Sequence, residues 1–122
     1  MLFRSLPNSL HREWTIRAAE HGKHILCEKP LALTAAEAEG MGAAADANGV
    51  RLMEAFMYRF HPRTERVLEL TRQKHLGTLR VLRGTFTFRL TRPGNIRMDP
   101  ALGGGALMDV GCYCVKIGRA HV

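Results

Sequence analysis

The chain has 122 residues, of which 46% are hydrophobic and 24% are charged, a balance typical of a globular protein of at most one ordinary domain. It contains no apolar run near the roughly 18 residues of a membrane-spanning helix, and we expect neither a signal peptide nor a membrane partner. The net charge of +7 raises the question of nucleic-acid binding. Many basic residues alternate with acidic ones, however, and no RNA-binding signature occurs, so we expect no nucleic-acid partner.

The first half of the sequence predicts helices that alternate with strands. We expect a helix over residues 10–21 and a strand over 24–28. A capping box at residues 34–37 begins an alanine-rich helix that extends to about residue 48. A second strand is expected over 51–56. Alternation of this kind is typical of an α/β fold with a parallel sheet.

The second half has a different pattern. We expect a helix over residues 61–74, a long strand over 78–90 and a helix over 106–115. Apolar and polar residues alternate along the predicted strand, which favours an antiparallel strand with one covered face. The change of pattern places a domain boundary near residues 56–61.

A possible site lies where the first predicted strand ends, in Glu28, Lys29 and Pro30. Open α/β sheets bind ligands in the crevice outside the carboxyl ends of their strands. Pro30 biases Lys29 towards extended backbone, from which its ammonium can point at a bound substrate. Local pattern alone favours the alternative, a solvent-exposed Glu–Lys pair without a function.

Four segments resemble the Gfo/Idh/MocA family, the glucose–fructose oxidoreductase and inositol dehydrogenase group. They are residues 7–11, 22–30, 54–62 and 104–113, in the family's order and roughly its spacing. Tyr113 stands where many members have histidine, which resembles the dihydrodiol dehydrogenase and glucose–fructose oxidoreductase branch. The resemblance implies an NAD(P)-dependent oxidoreductase with a Rossmann domain followed by an α+β domain built on a mostly antiparallel sheet.

The resemblance also implies catalytic residues. Lys29 would lie between nicotinamide and substrate, and Tyr113 would be the acid/base for the reacting hydroxyl. Asp109 lies four residues before Tyr113, so on a helix both would face the same way, and Asp109 would bind substrate or orient the tyrosine. A neighbouring Lys29 ammonium would stabilise the phenolate and lower the pKa of Tyr113.

The cofactor implied by the resemblance is NADP or NAD. The residues expected at or near it are Pro7, Asn8, His11, Glu28, Lys29, Pro30 and Arg59. For Arg59, a structural ion pair is an equally open interpretation.

Neither the cysteines nor the histidines predict a metal site. Cys112 and Cys114 are two residues apart on a predicted helix and point different ways, and the histidines lack ligand spacing. Three cysteines without a secretory signal favour a reducing compartment, so we expect a cytoplasmic protein.

The chain also departs from the family pattern. It has no G-x-G-x-x-G phosphate loop, so residues 1–56 are expected to be a partial Rossmann domain and 57–122 the truncated beginning of the C-terminal substrate domain. Residues 1–5 and 116–122 do not continue the family pattern and back-translate readily into sequencing-adapter DNA, so we expect them to be non-native. We therefore expect a fragment that has no useful cofactor affinity alone.

The leading hypothesis is thus a fragment of an NAD(P)-dependent oxidoreductase acting on a hydroxyl of a sugar, polyol or dihydrodiol. The intact protein is expected to be a homo-oligomer, as family members often are. The alternative is a non-catalytic NAD(P)-binding sensor or binding protein of the same fold, which would be expected to lack Lys29 or Tyr113.

Overall fold

The centre of the fold is a small parallel sheet. In a computed structural model, the backbone is described for residues 2–4 and 6–120 and the side chains for residues 6–117. The strands β1 (Leu2–Arg4), β2 (Ile25–Cys27) and β3 (Leu52–Glu54) are all parallel and lie in the order β1-β2-β3. The two strands predicted in the first half are therefore confirmed, each shorter than predicted. β1 was not predicted, because residues 1–5 were set aside as non-native; Met1 and Ser5 lie outside the described residues.

Two helices pack beside the sheet. A 3₁₀ turn (Asn8–Leu10) leads into α1 (His11–Glu20), and α2 is Ala35–Ala47. The predicted cap of α2 is present, since Thr34 Oγ1 accepts a hydrogen bond from the Glu37 N–H at 3.2 Å. Glu37 departs from the capping box, because its carboxylate accepts from the Leu33 N–H at 3.0 Å instead of from Thr34.

The main core lies between these two helices and β2. α1 packs against α2, and small residues at the contact, such as Ala19 and Ala45, let the helices approach closely. Met41 of α2 has no exposed surface and packs with Ile25 of β2 in the same cluster. Burial of these apolar surfaces is the main favourable contribution to the free energy of folding in this half.

The second half is more open. A 3₁₀ turn (Met57–Phe60) leads to α3 (Pro62–Arg72), in which Pro62 occupies the first turn as predicted. His61 caps α3, because its Nδ1 accepts from the Arg63 N–H at 3.1 Å. No described helix is both long enough and apolar enough to cross a membrane.

The predicted strand over 78–90 is not observed in this structure. Residues 79–92 form neither helix nor strand. A strand exists only where a neighbour completes its ladder of hydrogen bonds, and no antiparallel partner lies within the described part of the chain. The apolar alternation is real, but Phe86 and Phe88 remain about half exposed. The α/β part of the expected fold is confirmed, whereas its antiparallel part is not observed.

The last helical segment begins with an unusual turn. A π-helical turn (Leu107–Gly111) continues into α4 (Cys112–Ala120), where the sequence predicts one helix over 106–115. The Cys112 N–H bonds the Leu107 carbonyl five residues back, which widens the turn. The turn departs from the regular helix on which the prediction for Asp109 and Tyr113 was based, but Lys29 Nζ contacts both the Asp109 carboxylate and the Tyr113 ring.

We expect Met41→Ala to lower the free energy of unfolding by about 2–5 kcal/mol, because it empties a fully buried site between α1, α2 and β2. The matched control is Met57→Ala, since the Met57 side chain is 75% exposed. That control is expected to stay within about 0.5 kcal/mol. Urea unfolding measures both variants, and equal losses would contradict the assigned core.

Candidate active site

A cavity of about 330 Å³ opens at the carboxyl end of β2. Its walls come from three segments: the loop before α1, the residues directly after β2, and the stretch from 96 to 109. Parallel strands place their carboxyl ends at one edge of a sheet, so a ligand crevice is expected there. Five of the residues predicted from the sequence line this cavity together: Pro7, Asn8, Glu28, Lys29 and Asp109.

One carboxylate oxygen organises the charges of the cavity. Lys29, which is joined to Pro30 by a cis peptide bond, donates from Nζ to Asp109 Oδ1 at 3.2 Å and also to the Asp109 carbonyl oxygen. Arg97 Nε donates to the same Oδ1 at 3.1 Å. The Lys29 and Asp109 side chains are 17% and 15% exposed, whereas Arg97 is 52% exposed. The carboxylate therefore bridges a largely buried ammonium and a guanidinium that remains open to a ligand.

Tyr113 lines a second cavity of about 410 Å³, together with Tyr58 and Phe86. Its ring stacks edge-on against Phe56 with centroids 5.2 Å apart, and the Lys29 Nζ lies 5.1 Å from its centroid. Aromatic packing and this cation–π contact fix the orientation of the phenol.

The pKa of Tyr113 is raised above its ordinary value, chiefly by burial and further by Coulombic interaction with the ionisable side chains of Cys112, Glu28, Asp109 and Tyr58. The prediction that Lys29 lowers this pKa is wrong in this structure. The reason is geometric: the ammonium lies over the ring and donates its hydrogen bonds to Asp109. The phenol is thus held neutral, as a proton donor requires.

Two turns on opposite walls of the first cavity are locked together. Asn8 Nδ2 donates to the Gly103 carbonyl at 2.8 Å. Gly103 is buried with φ +75°, and a Cβ there would lie 2.4 Å from Leu33 Cδ2 and 2.9 Å from Asn8 Cβ. Only glycine fits such a contact, because it alone tolerates both the left-handed backbone and the close approach.

Three of the predicted cofactor residues lie apart from these cavities. His11 is buried, and its ring nitrogens contact the carbonyls of Pro30 at 2.8 Å and Leu6 at 3.2 Å. Pro30 is itself buried, and the pair ties α1 to the loop after β2. Arg59 is exposed and lines neither cavity among the described residues.

The structure also adds residues that the sequence did not single out. Arg97 lies outside the four segments that resemble the family, and its 12-residue separation from Asp109 carries no helical or strand spacing. Glu54, at the end of β3, accepts from the Leu31 N–H at 2.9 Å and from Lys116 Nζ at 3.3 Å. Its carboxylate thereby holds the loop after β2 and the last helix in place. No group of three potential metal ligands occurs among the described side chains.

Comparison with known proteins gives two family matches. Residues 4–56 match the profile of the GFO/IDH/MocA oxidoreductase family, described as an NAD-binding Rossmann fold, and residues 64–121 match the GFO/IDH/MocA C-terminal domain.

Similar proteins include enzymes from several sources. The chain is 50% identical over 115 residues to D-xylose 1-dehydrogenase (NADP(+)) 2 of Haloferax volcanii, covering 93% of this chain and 35% of that protein. It is 41% identical over 107 residues to trans-1,2-dihydrobenzene-1,2-diol dehydrogenase of Xenopus tropicalis, covering 88% and 32%. A solved 3-ketoreductase from Actinomadura kijaniata, in complex with NADP and TDP-benzene, superposes with a TM-score of 0.89 at 38% identity, covering 95% and 36%. The chain thus spans about a third of the length of these proteins.

Replacing Gly103 with alanine tests the contact between the two walls. Gly103→Ala is expected to lower the free energy of unfolding by about 1–3 kcal/mol more than Gly94→Ala, because overpacking adds to the backbone strain. Gly94 is the matched control, with φ +68° and open space where its Cβ would lie. Urea denaturation of both variants measures the difference, and equal losses would show that close approach at Gly103 contributes nothing.

Titration of the phenols tests the environment of Tyr113. We expect its phenolate to form only above the ordinary tyrosine value of about 10, because burial disfavours the charged form. With the pKa raised by folding, this contribution to stability is complete below the unfolded value and is lost as pH rises through the folded one. Ultraviolet absorbance of the chain minus that of Tyr113→Phe gives the midpoint, with Tyr58→Phe as the control. A midpoint below 10 would contradict the assignment.

Proposed function

The chain belongs to the Gfo/Idh/MocA family of oxidoreductases, and we propose that the whole protein transfers a hydride between a nicotinamide cofactor and a hydroxyl-bearing carbon of a sugar, polyol or dihydrodiol. The observation that carries the proposal is the placement of Lys29 and Asp109 in one cavity at the carboxyl end of β2, with Tyr113 in contact with Lys29. The similar dehydrogenases and ketoreductase support the same reaction class.

The residues present fit the nicotinamide end of NADP or NAD. Asn8 and Lys29 line a cavity of about 330 Å³ at the sheet edge where a dinucleotide is expected. When bound, the nicotinamide ring supplies or accepts the hydride. Pro7, Glu28 and Lys29 would border that ring. No G-x-G-x-x-G phosphate loop occurs in the sequence, so we propose that this chain alone binds the cofactor weakly.

Tyr113 is the proposed proton donor and acceptor. Reduction of a ketone leaves an alkoxide that needs a proton, and alcohol oxidation needs a base to remove one. The Tyr113 phenol carries its proton at physiological pH, and its raised pKa extends that state to higher pH, so the proton needed in the direction of reduction is in place. Lys29 is held by Asp109 within a largely buried wall, where its ammonium would polarise the substrate oxygen.

The remainder of the protein is proposed from the same membership. Residues 1–56 would be part of the Rossmann domain and 57–122 the beginning of an α+β substrate domain. The segment 79–92 would then pair with further antiparallel strands. Its apolar alternation supports this pairing, as does the contact between Phe86 and Tyr113, whose ring centroids are 5.4 Å apart. We further propose that the protein is a homo-oligomer. The three free cysteines support a reducing compartment, and we propose the cytoplasm.

One observation favours the alternative, a non-catalytic NAD(P)-binding sensor. Tyr113 lines the second cavity rather than the cavity that contains Lys29 and Asp109. In an enzyme, the substrate must reach both residues at once.

A chimeric enzyme separates the two possibilities. Residues 6–115 would replace the matching segment of the Haloferax volcanii dehydrogenase, which is 50% identical over 115 residues. NADP- and NAD-linked oxidation would be assayed over a panel of sugars, polyols and diols. We expect Lys29→Ala and Tyr113→Phe each to lower kcat/KM about 100-fold or more, the usual effect of losing a general acid–base group. Lys23→Ala, at an exposed position, is the matched control and should leave kcat/KM unchanged.

The outcomes of this assay differ clearly. Loss of activity in both variants with intact cofactor binding supports the enzyme and identifies its substrate class. A folded chimera that binds cofactor and is indifferent to both substitutions supports the sensor instead.

A further inference from the structure

We propose that Arg97 is a positioning residue of this site: its guanidinium holds the Asp109 carboxylate in the orientation from which Asp109 holds the Lys29 ammonium at the cavity wall. This inference rests on the proposed function. It assigns a role to a residue outside the four segments that carried the family resemblance.

The geometry of the shared oxygen carries the first step. Asp109 Oδ1 accepts from Arg97 Nε at 3.1 Å and from Lys29 Nζ at 3.2 Å. Two cations on one acceptor oxygen fix the rotation of the carboxylate, whereas one cation alone would leave it free to turn. Since Asp109 and Lys29 are both largely buried, their pairing depends on accurate geometry.

The backbone around Arg97 is itself held in place. Asn95 Oδ1 accepts from the Arg97 N–H at 3.0 Å, and the Arg97 carbonyl accepts from the Gly105 N–H at 2.8 Å. A Cβ at Gly104 would lie 2.7 Å from that same carbonyl oxygen, so the chain packs closely there. The guanidinium therefore extends from an ordered turn, unlike the long flexible partners of most surface ion pairs.

The charge of Arg97 has a second consequence. Lys29, Asp109 and Arg97 together carry one net positive charge, and this charge faces the first cavity. Among the described residues, the other titratable groups around the cluster are Glu28, Glu54, Cys112, Tyr58 and Tyr113. Removing the guanidinium takes a positive charge from this cluster and is expected to raise the pKa of the Tyr113 phenol further, because its anionic form loses a favourable interaction.

The chimeric enzyme described above provides the test, with Arg97→Ala and Arg97→Lys. For Arg97→Ala we expect kcat to fall about 10- to 100-fold with KM for the cofactor nearly unchanged, as when interactions made in the transition state are lost. The pH profile of kcat/KM should shift to higher pH by roughly half a unit to one unit. Arg97→Lys keeps the charge and should restore the profile and most of kcat. Arg92→Ala removes an exposed arginine five residues earlier in the chain and is the matched control.

A double substitution identifies the route of the effect. In an Asp109→Asn background, Arg97→Ala should lower kcat no further, because the proposed action passes through the carboxylate. Additive losses would overturn the proposal. An Arg97→Ala enzyme that behaves like Arg92→Ala would also overturn it, because the ion pair would then be solvated and without effect. A third contrary outcome is a loss of kcat that parallels the loss of thermal stability, with no shift in the pH profile.

Failure of the proposed function would be visible separately. An unmutated chimera that folds but is inactive would argue against the reaction class. Crystal structures of that chimera and of its Arg97→Ala variant would still decide the positioning role. We expect Asp109 to adopt another rotamer and the Asp109–Lys29 contact to open in the variant. An unchanged contact would overturn the proposal.

Discussion

One carboxylate oxygen joins the two halves of this chain at the cavity. Asp109 lies in the π-helical turn before α4, and its Oδ1 accepts hydrogen bonds from Lys29, which follows β2, and from Arg97. A buried ion pair contributes little to net stability, since desolvation offsets most of the Coulomb attraction. Breaking it is nevertheless costly, because one buried charge would lose its partner. The contact therefore selects one relative arrangement of the segments that form the cavity.

Close backbone approach reinforces this arrangement. A side chain at Gly103 would collide with Leu33 and Asn8, and the Asn8 amide donates a hydrogen bond to the Gly103 carbonyl. His11 secures the other side of the same loop by contacting the carbonyls of Leu6 and Pro30 from a buried position. Asn8 and His11, both predicted as cofactor contacts, therefore make structural contacts as well. Through these contacts they would affect ligand binding by holding the loops in place.

The fold was predictable where local pattern and tertiary partners agree. The helices over 11–20 and 35–47 and the strand over 25–27 follow from apolar periodicity, a capping threonine and glycine stops. The strand expected over 78–90 has an equally regular pattern but finds no neighbour in the described chain, and a strand cannot satisfy its backbone alone. Conversely, β1 is only three residues long and exists because β2 pairs with it. Such pairing cannot be predicted from the three residues alone.

The site, like the fold, was predictable only in part. By itself, the sequence determined which residue types follow β2, and motif order named Lys29, Asp109 and Tyr113 as candidates, because chemistry-bearing residues at strand ends and in family motifs can be recognised from sequence. Tertiary structure alone decided that Arg97 shares the oxygen of Asp109, that Lys29 contacts both Asp109 and the Tyr113 ring, and that burial raises the pKa of Tyr113 although Lys29 is near. Each of these depends on distances between residues far apart in the chain, or on the solvent each group loses on folding, and neither quantity is encoded in local spacing.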